Sequence, residues 1–431
     1  MKLLILPHQL FNIKYYPDRY EVVLWECPYY FTKYNFNKKK LLLHRASMKY
    51  YYDYLNNKGY KVKYVEYKDR PDKKDKYIMF DPIDKLKLVG LKITYIESPN
   101  FLLIKDNYKQ YRNKTKHFLF NNFYKWGKKI LNVIPDIKSQ DKLNRKKLPS
   151  KIQIPQTKTF NTNGENKYIN DAKKYINKNF KNNYGTVDDF IYPISHLSSD
   201  KWLKNWINKK FKLFGDYQDS IDEKDSYIFH SVLSSSINCG LLNPLEIIKY
   251  ISKHKKKIPM NSYEGYIRQL FWREYQRYCY IYVNFNKNYF GNRNKLNIKW
   301  YNGTTGFKPI DDCIIKGFKT GYLNHIERLM VIGNFMNLSG ISPKQGLKWF
   351  MEFSCDSYEW VMYQNVLDMV FFVTGGLTMR RPYISSSNYI LKMSNYKKGK
   401  WCDEWDLLYR NFIKKHKKKI WKFRYHFPSL E

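Results

Sequence analysis

Residues 264–278 read EGYIRQLFWREYQRY. Arg268, Arg273 and Arg277 alternate there with Phe271, Trp272, Tyr275 and Tyr278. Helical periodicity runs across residues 262–282, so the stretch predicts a long helix. Its side chains admit two readings. The rings are core and the arginines a solvated stripe, or rings and guanidiniums together form the stacking and phosphate-binding surface that single-stranded or flipped bases need.

Working outward, residues 244–252, 321–338, 343–353 and 404–415 also carry helical spacing. Loops marked by Pro or Gly interrupt at 300–309 and 375–382. The N-terminal part has another rhythm. Short apolar runs at 3–6, 22–25, 62–67, 77–80 and 93–96 read as buried strands. Between the second and third, residues 40–57 place Leu41, Leu42, Leu43, Met48, Tyr51 and Leu55 at helical spacing. Strands separated by a helix imply right-handed crossovers and a parallel sheet. No GxGxxG or GxxxxGK(S/T) follows the first run, which excludes a dinucleotide or P-loop fingerprint. Residues 130–200 are polar, Lys-rich and punctuated by Pro, Gly and Asn, the texture of a long connector. The expected class is α/β plus all-α: a Rossmann-like parallel α/β domain at 1–130, a linker at 131–200 and an all-helical domain at 201–431.

Among 431 residues, Lys and Arg number 78 and Asp and Glu 38, a net charge of +40. Aromatic residues make up 18%, with 41 Tyr. Six Cys without regular spacing exclude a disulfide-framed miniprotein. No apolar run approaches the ~20 residues of a membrane span. MKLLILPHQLF turns polar too soon for a signal peptide, so the expected setting is intracellular, in the cytoplasm or wherever the DNA resides. Part of the Lys excess travels with Asn, Ile, Tyr and Phe, whose codons are also A/T-heavy. The charge is physical all the same, and it attracts polyanions, nucleic acid first among them. The run KKHKKKIWKFRYHF at 414–427 reads as a solvated helix end or a nucleic-acid contact, the former favoured.

Four further segments carry chemistry. HSVLSSSINCGLL (230–242) sets hydroxyls and backbone N–H groups before a Gly, as a phosphate requires or as an N-cap cluster does. WYNGTTGFKPIDD (300–312) is a turn-rich loop that opens on an aromatic pair. GYLNHIERLMVIGNF (321–335) puts His325 and Arg328 on one helix face, and the arginine favours a neutral imidazole. DSYEWVMYQNVLDM (356–369) sets Glu359 and Asn365 among bulky apolar residues. A buried Glu359 needs a cation, for which Arg328 is the candidate.

Taken in order, these segments resemble the photolyase/cryptochrome superfamily. The closer resemblance is to the branch of bacterial iron–sulfur cryptochromes and prokaryotic (6-4) photolyases. LLILPHQLF at the start and GGLTMRRPYISSSNYI (375–390) belong to the same pattern. The resemblance implies an antenna-type α/β domain and a helical domain that holds FAD. It implies that His230, Ser231, Leu233 and Ser234 hold the FAD phosphates, with Gln269 and Arg273 also meeting the cofactor. Arg328 is expected to pair with Glu359 beside the isoalloxazine, and Asn365 to lie opposite flavin N5.

The implied activity is light-driven repair of pyrimidine dimers in UV-damaged DNA, with excited FADH⁻ as electron donor. His325 stands where (6-4) photolyases have a proton-donating His. Asn324 replaces the second His usual before it, so Asn324, His325 and Arg328 are the catalytic candidates. A cyclobutane dimer photolyase and a cryptochrome-like photoreceptor without repair are the alternatives. Arg268, Trp272, Arg277 and Tyr278 are the expected DNA contacts. Trp349, Trp300 and Tyr301 are the expected electron relay, with Met369 at the superfamily's usual proximal Trp position and Phe350 beside Trp349. Cys313 and Cys402 match two of the branch's four iron–sulfur ligands and the middle pair is missing, so no cluster and no metal are expected. The branch binds a ribityllumazine antenna through acidic residues near the first two strands. Here Glu26 remains and Tyr30 stands in place of a second acid, so the expected antenna is absent or different. The expected state is a monomer with no membrane partner.

Overall fold

The computed structural model describes residues 1–427. Five strands, β1 (Lys2–Ile5), β2 (Glu21–Trp25), β3 (Val62–Val65), β4 (Lys76–Phe80) and β5 (Lys92–Ile96), form a sheet in the order β3-β2-β1-β4-β5. All pairings are parallel, with Leu3 opposite both Val22 and Ile78. Leu3, Leu4, Ile5, Val22 and Leu24 are fully buried, because a parallel sheet is covered on both faces and its central strands read as continuous apolar runs. The helix Lys38–Asn57 covers one face with Leu41, Leu42, Met48 and Leu55. Asn37 caps it by accepting from Lys39 N, and its side-chain amide donates to Phe318 O in the helical half. One residue thus starts a helix and joins the two halves.

The expected connector is partly a structured layer. It holds the helix Asn163–Asn179, begun by a capping box in which Thr162 and Glu165 satisfy each other's backbone N–H. Ile169, Ala172 and Ile176 bury one face of it, and it packs on the helix Lys38–Asn57. Their helical spacing is diluted by intervening Lys and Asn, which hides the element in a composition-based reading. A second helix, His196–Lys209, begins before residue 200.

The helix Met260–Tyr282 is buried on nearly every side and forms the centre of the helical half. Two π-wound segments, Glu327–Gly333 and Tyr363–Val370, approach each other nearby. A Cβ on Gly333 would lie 2.7 Å from Val370 Cγ1, so glycine permits the approach. π-Winding shifts side chains out of α-helical register and is concentrated at functional sites. Among the described residues no helix is long and apolar enough to cross a membrane.

Candidate functional site

Both π-wound segments face a cavity of about 220 Å³. Its walls divide by chemistry. His230, Ser231, Ser234, Gln269, His325, Arg328, Asp356 and Asn365 supply polar groups, and Leu323, Leu329, Phe350, Met362, Val366 and Val370 supply an apolar surface. His230, Ser231, Leu233, Ser234, Gln269, His325, Arg328 and Asn365 are therefore brought together as the motif order implies.

The polar residues are tied down unequally. Asp356 receives both ends of the Arg328 guanidinium, at 3.0 and 3.2 Å, and the Ser234 hydroxyl at 2.6 Å. Arg328 Nε–H donates to Leu323 O at 2.8 Å. Burial raises the Asp356 pKa, but the bonded Arg328 outweighs it and holds the carboxyl below its usual value. The side chains of Gln269, His325 and Asn365, in contrast, make no hydrogen bond among the described residues, and His230 Nδ1 is buried without a partner. His230 Nε2 is at 3.0 Å from Gln218 O, which orients the ring. His230 Nδ1 is the one buried polar atom of this set without a partner, and the other three side chains open to the cavity, so the set fits a ligand that brings its own donors and acceptors. Hydroxyls and an imidazole at His230, Ser231 and Ser234 beside an apolar wall suit a cofactor that carries phosphates and a flat ring system.

His325 presents its side chain to the solvent in the cavity. The enclosing walls strip hydration from the ring and the Arg328 and Arg268 charges add to this, so its pKa is pushed down to about 4. The ring is therefore neutral at pH 7.

Several expected roles change in the fold. Glu359 does not pair with Arg328. It opens the short helix Glu359–Met362 and turns toward the α/β half, bonded to Lys33 Nζ and Tyr29 OH at 2.5 Å and Tyr34 OH at 2.8 Å. Asp356, three residues earlier, takes the arginine, because the turn that begins there points its carboxylate into the cavity. Six residues after Asp356 comes Met362, and nine after it Asn365, and both line the wall. Arg273 lies outside the cavity. Its Nε–H donates to Asn238 Oδ1 and its Nη1 to Asn100 O, which clasps the hydroxyl segment to the α/β half. Asn324 is fully buried as a helix cap: it accepts from Glu327 N, and Glu327 Oε2 accepts from Asn324 N, both at 3.0 Å. Asparagine is a preferred N-cap, which accounts for the residue type without catalysis.

Three of the four expected DNA contacts are also internal, and the fourth, Trp272, is half-buried. Arg277 is 0% exposed and bonds Glu97 at 2.5 Å. Tyr278 is 0% exposed among Tyr108, Tyr111, Phe118 and Phe123. Arg268 is buried and pairs with Asp141. Trp272 stacks on Phe120 with ring centres 3.7 Å apart. The partners all come from segments more than a hundred residues away, which no local pattern reveals.

Behind the apolar wall, Phe350 packs edge-to-face on Trp349 with centres 5.2 Å apart. Trp349 is fully buried and its indole N–H donates to Trp300 O at 2.6 Å. Tyr301 stacks on Tyr184 and donates to Glu352.

The residues at Cys313 do not fit a four-thiolate cluster. Its sulfur lies 3.9 Å from Glu327 Oε1, and Glu327 also holds Lys316 at 2.6 Å. Burial and Glu327 push the Cys313 pKa up, and the Lys316–Glu327 pair stands beside its sulfur where a cluster would need further thiolates. Cys402 is buried, and no group of three or more metal-ligating side chains occurs among the described residues.

A second cavity, of about 410 Å³, lies at the carboxyl end of β2. Trp25, Pro28, Leu86, Leu88 and Leu91 give it apolar walls, and Lys33, Arg70, Lys73, Lys85 and Lys87 surround it with no carboxylate. Glu26 is turned away to Arg45 and Tyr64, and Tyr30 is buried against His8 and Tyr358. Neither residue lines this space.

Comparison with known proteins agrees with the fold. The model of deoxyribodipyrimidine photo-lyase-related proteins matches residues 3–82 and 77–192. A (6-4) photolyase of Agrobacterium fabrum is 36% identical over 229 residues, 51% of this chain and 45% of that protein. The matched stretch thus spans less than half the length of that relative. An uncharacterized protein of Acanthamoeba polyphaga mimivirus is 61% identical over 85 residues, 20% of this chain and 69% of that one. A class III photolyase structure from Agrobacterium tumefaciens superposes with a TM-score of 0.60 at 13% identity, covering 91% of this chain and 86% of the other. A Synechocystis sp. cryptochrome structure does so with a TM-score of 0.60 at 12% identity, covering 96% and 89%. The parallel sheet, the helical half and these likenesses place the chain in the photolyase/cryptochrome superfamily.

Proposed function

We propose that the chain is a light-driven DNA photolyase that holds FAD in the main cavity and reverses (6-4) photoproducts. The observation that carries this reading is His325, an imidazole on the cavity wall with no protein partner and one helical turn from Arg328. FAD, when bound, supplies light absorption and the transferable electron. His230, Ser231, Leu233 and Ser234 hold its phosphates. Gln269 and Asn365 bring free amides to its ring system, where each can donate or accept. Arg328, anchored by Asp356, is a fixed positive charge that favours an anionic ring system. Phe350, Leu329 and Val366 exclude water from it.

Reversal of a (6-4) lesion moves a proton as well as an electron. The neutral His325 offers an N–H to the lesion, and negative charge developing there opposes Arg328 and Arg268 and raises its pKa. Trp349, linked to Trp300 and flanked by Tyr301, is the route by which electrons reach the cavity from the surface. Purified, reduced protein is to be mixed with oligonucleotides carrying either lesion and exposed to blue light. Restoration of the (6-4) lesion alone is expected. Restoration of the cyclobutane dimer alone assigns the other photolyase activity, and restoration of neither leaves a photoreceptor.

The second cavity supports an antenna-type ligand of different charge from the neutral ribityllumazine. Lys33 is taken by Glu359, and the remaining four cations, Arg70, Lys73, Lys85 and Lys87, call for an anionic group on an apolar, planar body. Absorption spectra of the protein as purified, with and without Arg70→Ala and Lys87→Ala, test this.

A further inference from the structure

With Arg268 and Arg277 internal, the polyanion-binding face has to lie elsewhere. Residues 414–424 carry seven cations and no carboxylate. They end the helix Lys400–Ile420, which departs from helical geometry at His416. Its inner side buries Phe412, Ile413, His416 and Ile420, with Phe412 and His416 against Phe290. Its outer side exposes Lys414, Lys415, Lys417 and Lys418. The turn that follows, Trp421–His426, leaves Trp421 49% and Tyr425 80% exposed, with the Arg424 guanidinium over both rings. Among the described residues none of the seven cations meets a carboxylate. A helix dipole favours one or two cations in the last turn, but it accounts neither for seven nor for two bare rings beside them.

The position of this surface is equally specific. Lys422 donates to Gly375 O, and Phe423 packs on Phe372, two residues beyond the cavity-lining Val370. Lys422 and Phe423 thus tie this face to the segment that leads back to the main cavity.

We propose that this end of the chain is a DNA-docking surface: the lysines receive backbone phosphates of duplex flanking the cavity, and Trp421 and Tyr425 stack on sugars or an unpaired base. The choice of DNA as the polyanion rests on the repair reading. The docking itself is measured without light or lesion.

Binding of an undamaged 30-base-pair duplex to the full chain is followed by fluorescence anisotropy in the dark between 50 and 200 mM NaCl. Replacing Lys414, Lys415, Lys417 and Lys418 with Gln is expected to weaken binding about 10–100-fold and to lower the salt slope by about 2–4, since each phosphate contact contributes ~0.9. Trp421→Ala with Tyr425→Ala is expected to weaken binding of a single-stranded oligonucleotide by about tenfold. The control replaces four exposed lysines far away, Lys167, Lys174, Lys178 and Lys181, with Gln and leaves both values unchanged. Circular dichroism and flavin absorption verify that each variant folds. Unchanged affinity and slope in the tail variant would overturn the proposal. So would an equal loss in the control, or a tail that binds phosphatidylserine vesicles and leaves DNA affinity unaltered. Tail-dependent binding without photorepair would leave the docking surface standing and remove the repair reading.

Discussion

Arg328 and Asp356 form a two-point ion pair across the cavity, Nη1 to Oδ1 at 3.0 Å and Nη2 to Oδ2 at 3.2 Å, while Glu359 faces away to Lys33. Asp356→Asn leaves a buried guanidinium without its countercharge, and such losses cost about 3–5 kcal/mol. Glu359→Gln loosens a contact between the halves and leaves the cavity intact. Urea unfolding with flavin absorption is expected to show loss of stability and flavin in Asp356→Asn and retained flavin in Glu359→Gln. The reverse order would return the pairing to Glu359. The Asp356 pKa lies below its unfolded value of about 3.8, so the pair stabilises fully above that pH and is lost as the pH falls through the folded value.

His325 has the opposite linkage. Its pKa falls from 6.5 to about 4 on folding, so the unfolded chain takes up the proton first and stability declines as the pH drops from 6.5 toward 4. His325→Gln removes that titration. Its stability relative to the parent chain is expected to rise between pH 7.5 and pH 5, and an unchanged difference would show that the ring is not held neutral. His325→Ala is expected to abolish (6-4) repair while FAD stays bound.

Asn324 is a cap, and its test is a pair of substitutions. Asn324→Ala is expected to cost about 1 kcal/mol and Asn324→Asp much less, since aspartate also caps. Repair per bound flavin is expected to be equal in Asn324→Ala and the parent chain. A loss of repair out of proportion to stability would reinstate a chemical role.

Arg277→Ala is expected to destabilise by about 2–5 kcal/mol through the fully buried site it empties, Glu97 being a third exposed and open to water, without changing the salt slope of DNA binding in the folded fraction. A reduced slope in well-folded protein would return Arg277 to the DNA interface.

Iron analysis of anaerobically purified protein is expected to find well under one Fe per chain. Four per chain would overturn the reading of Cys313 as a thiol packed on the Lys316–Glu327 pair. Glu327→Gln, which leaves the Lys316 ammonium with Asp222 O but without its countercharge, is expected to cost about 3–5 kcal/mol.

The runs at Leu3–Ile5 and Val22–Leu24 marked themselves as strands, because a parallel sheet buries both faces and needs uninterrupted apolar residues. The helices Pro244–Ser252 and Pro343–Phe353 were equally plain, since Pro at the first turn and apolar spacing are local signals. The gathering of His230, Ser231, Gln269, His325 and Asn365 was legible from motif order. The sequence by itself thus determined the two-part architecture and most of the cavity wall. Tertiary structure decided which charges meet. Arg277 reads as a surface cation until Glu97 is folded against it, and Glu359 reads as the partner of Arg328 until Lys33 takes it. A buried ion pair joins residues distant in sequence, and its choice of partner is set by which chain segments pack together, a quantity no local spacing contains.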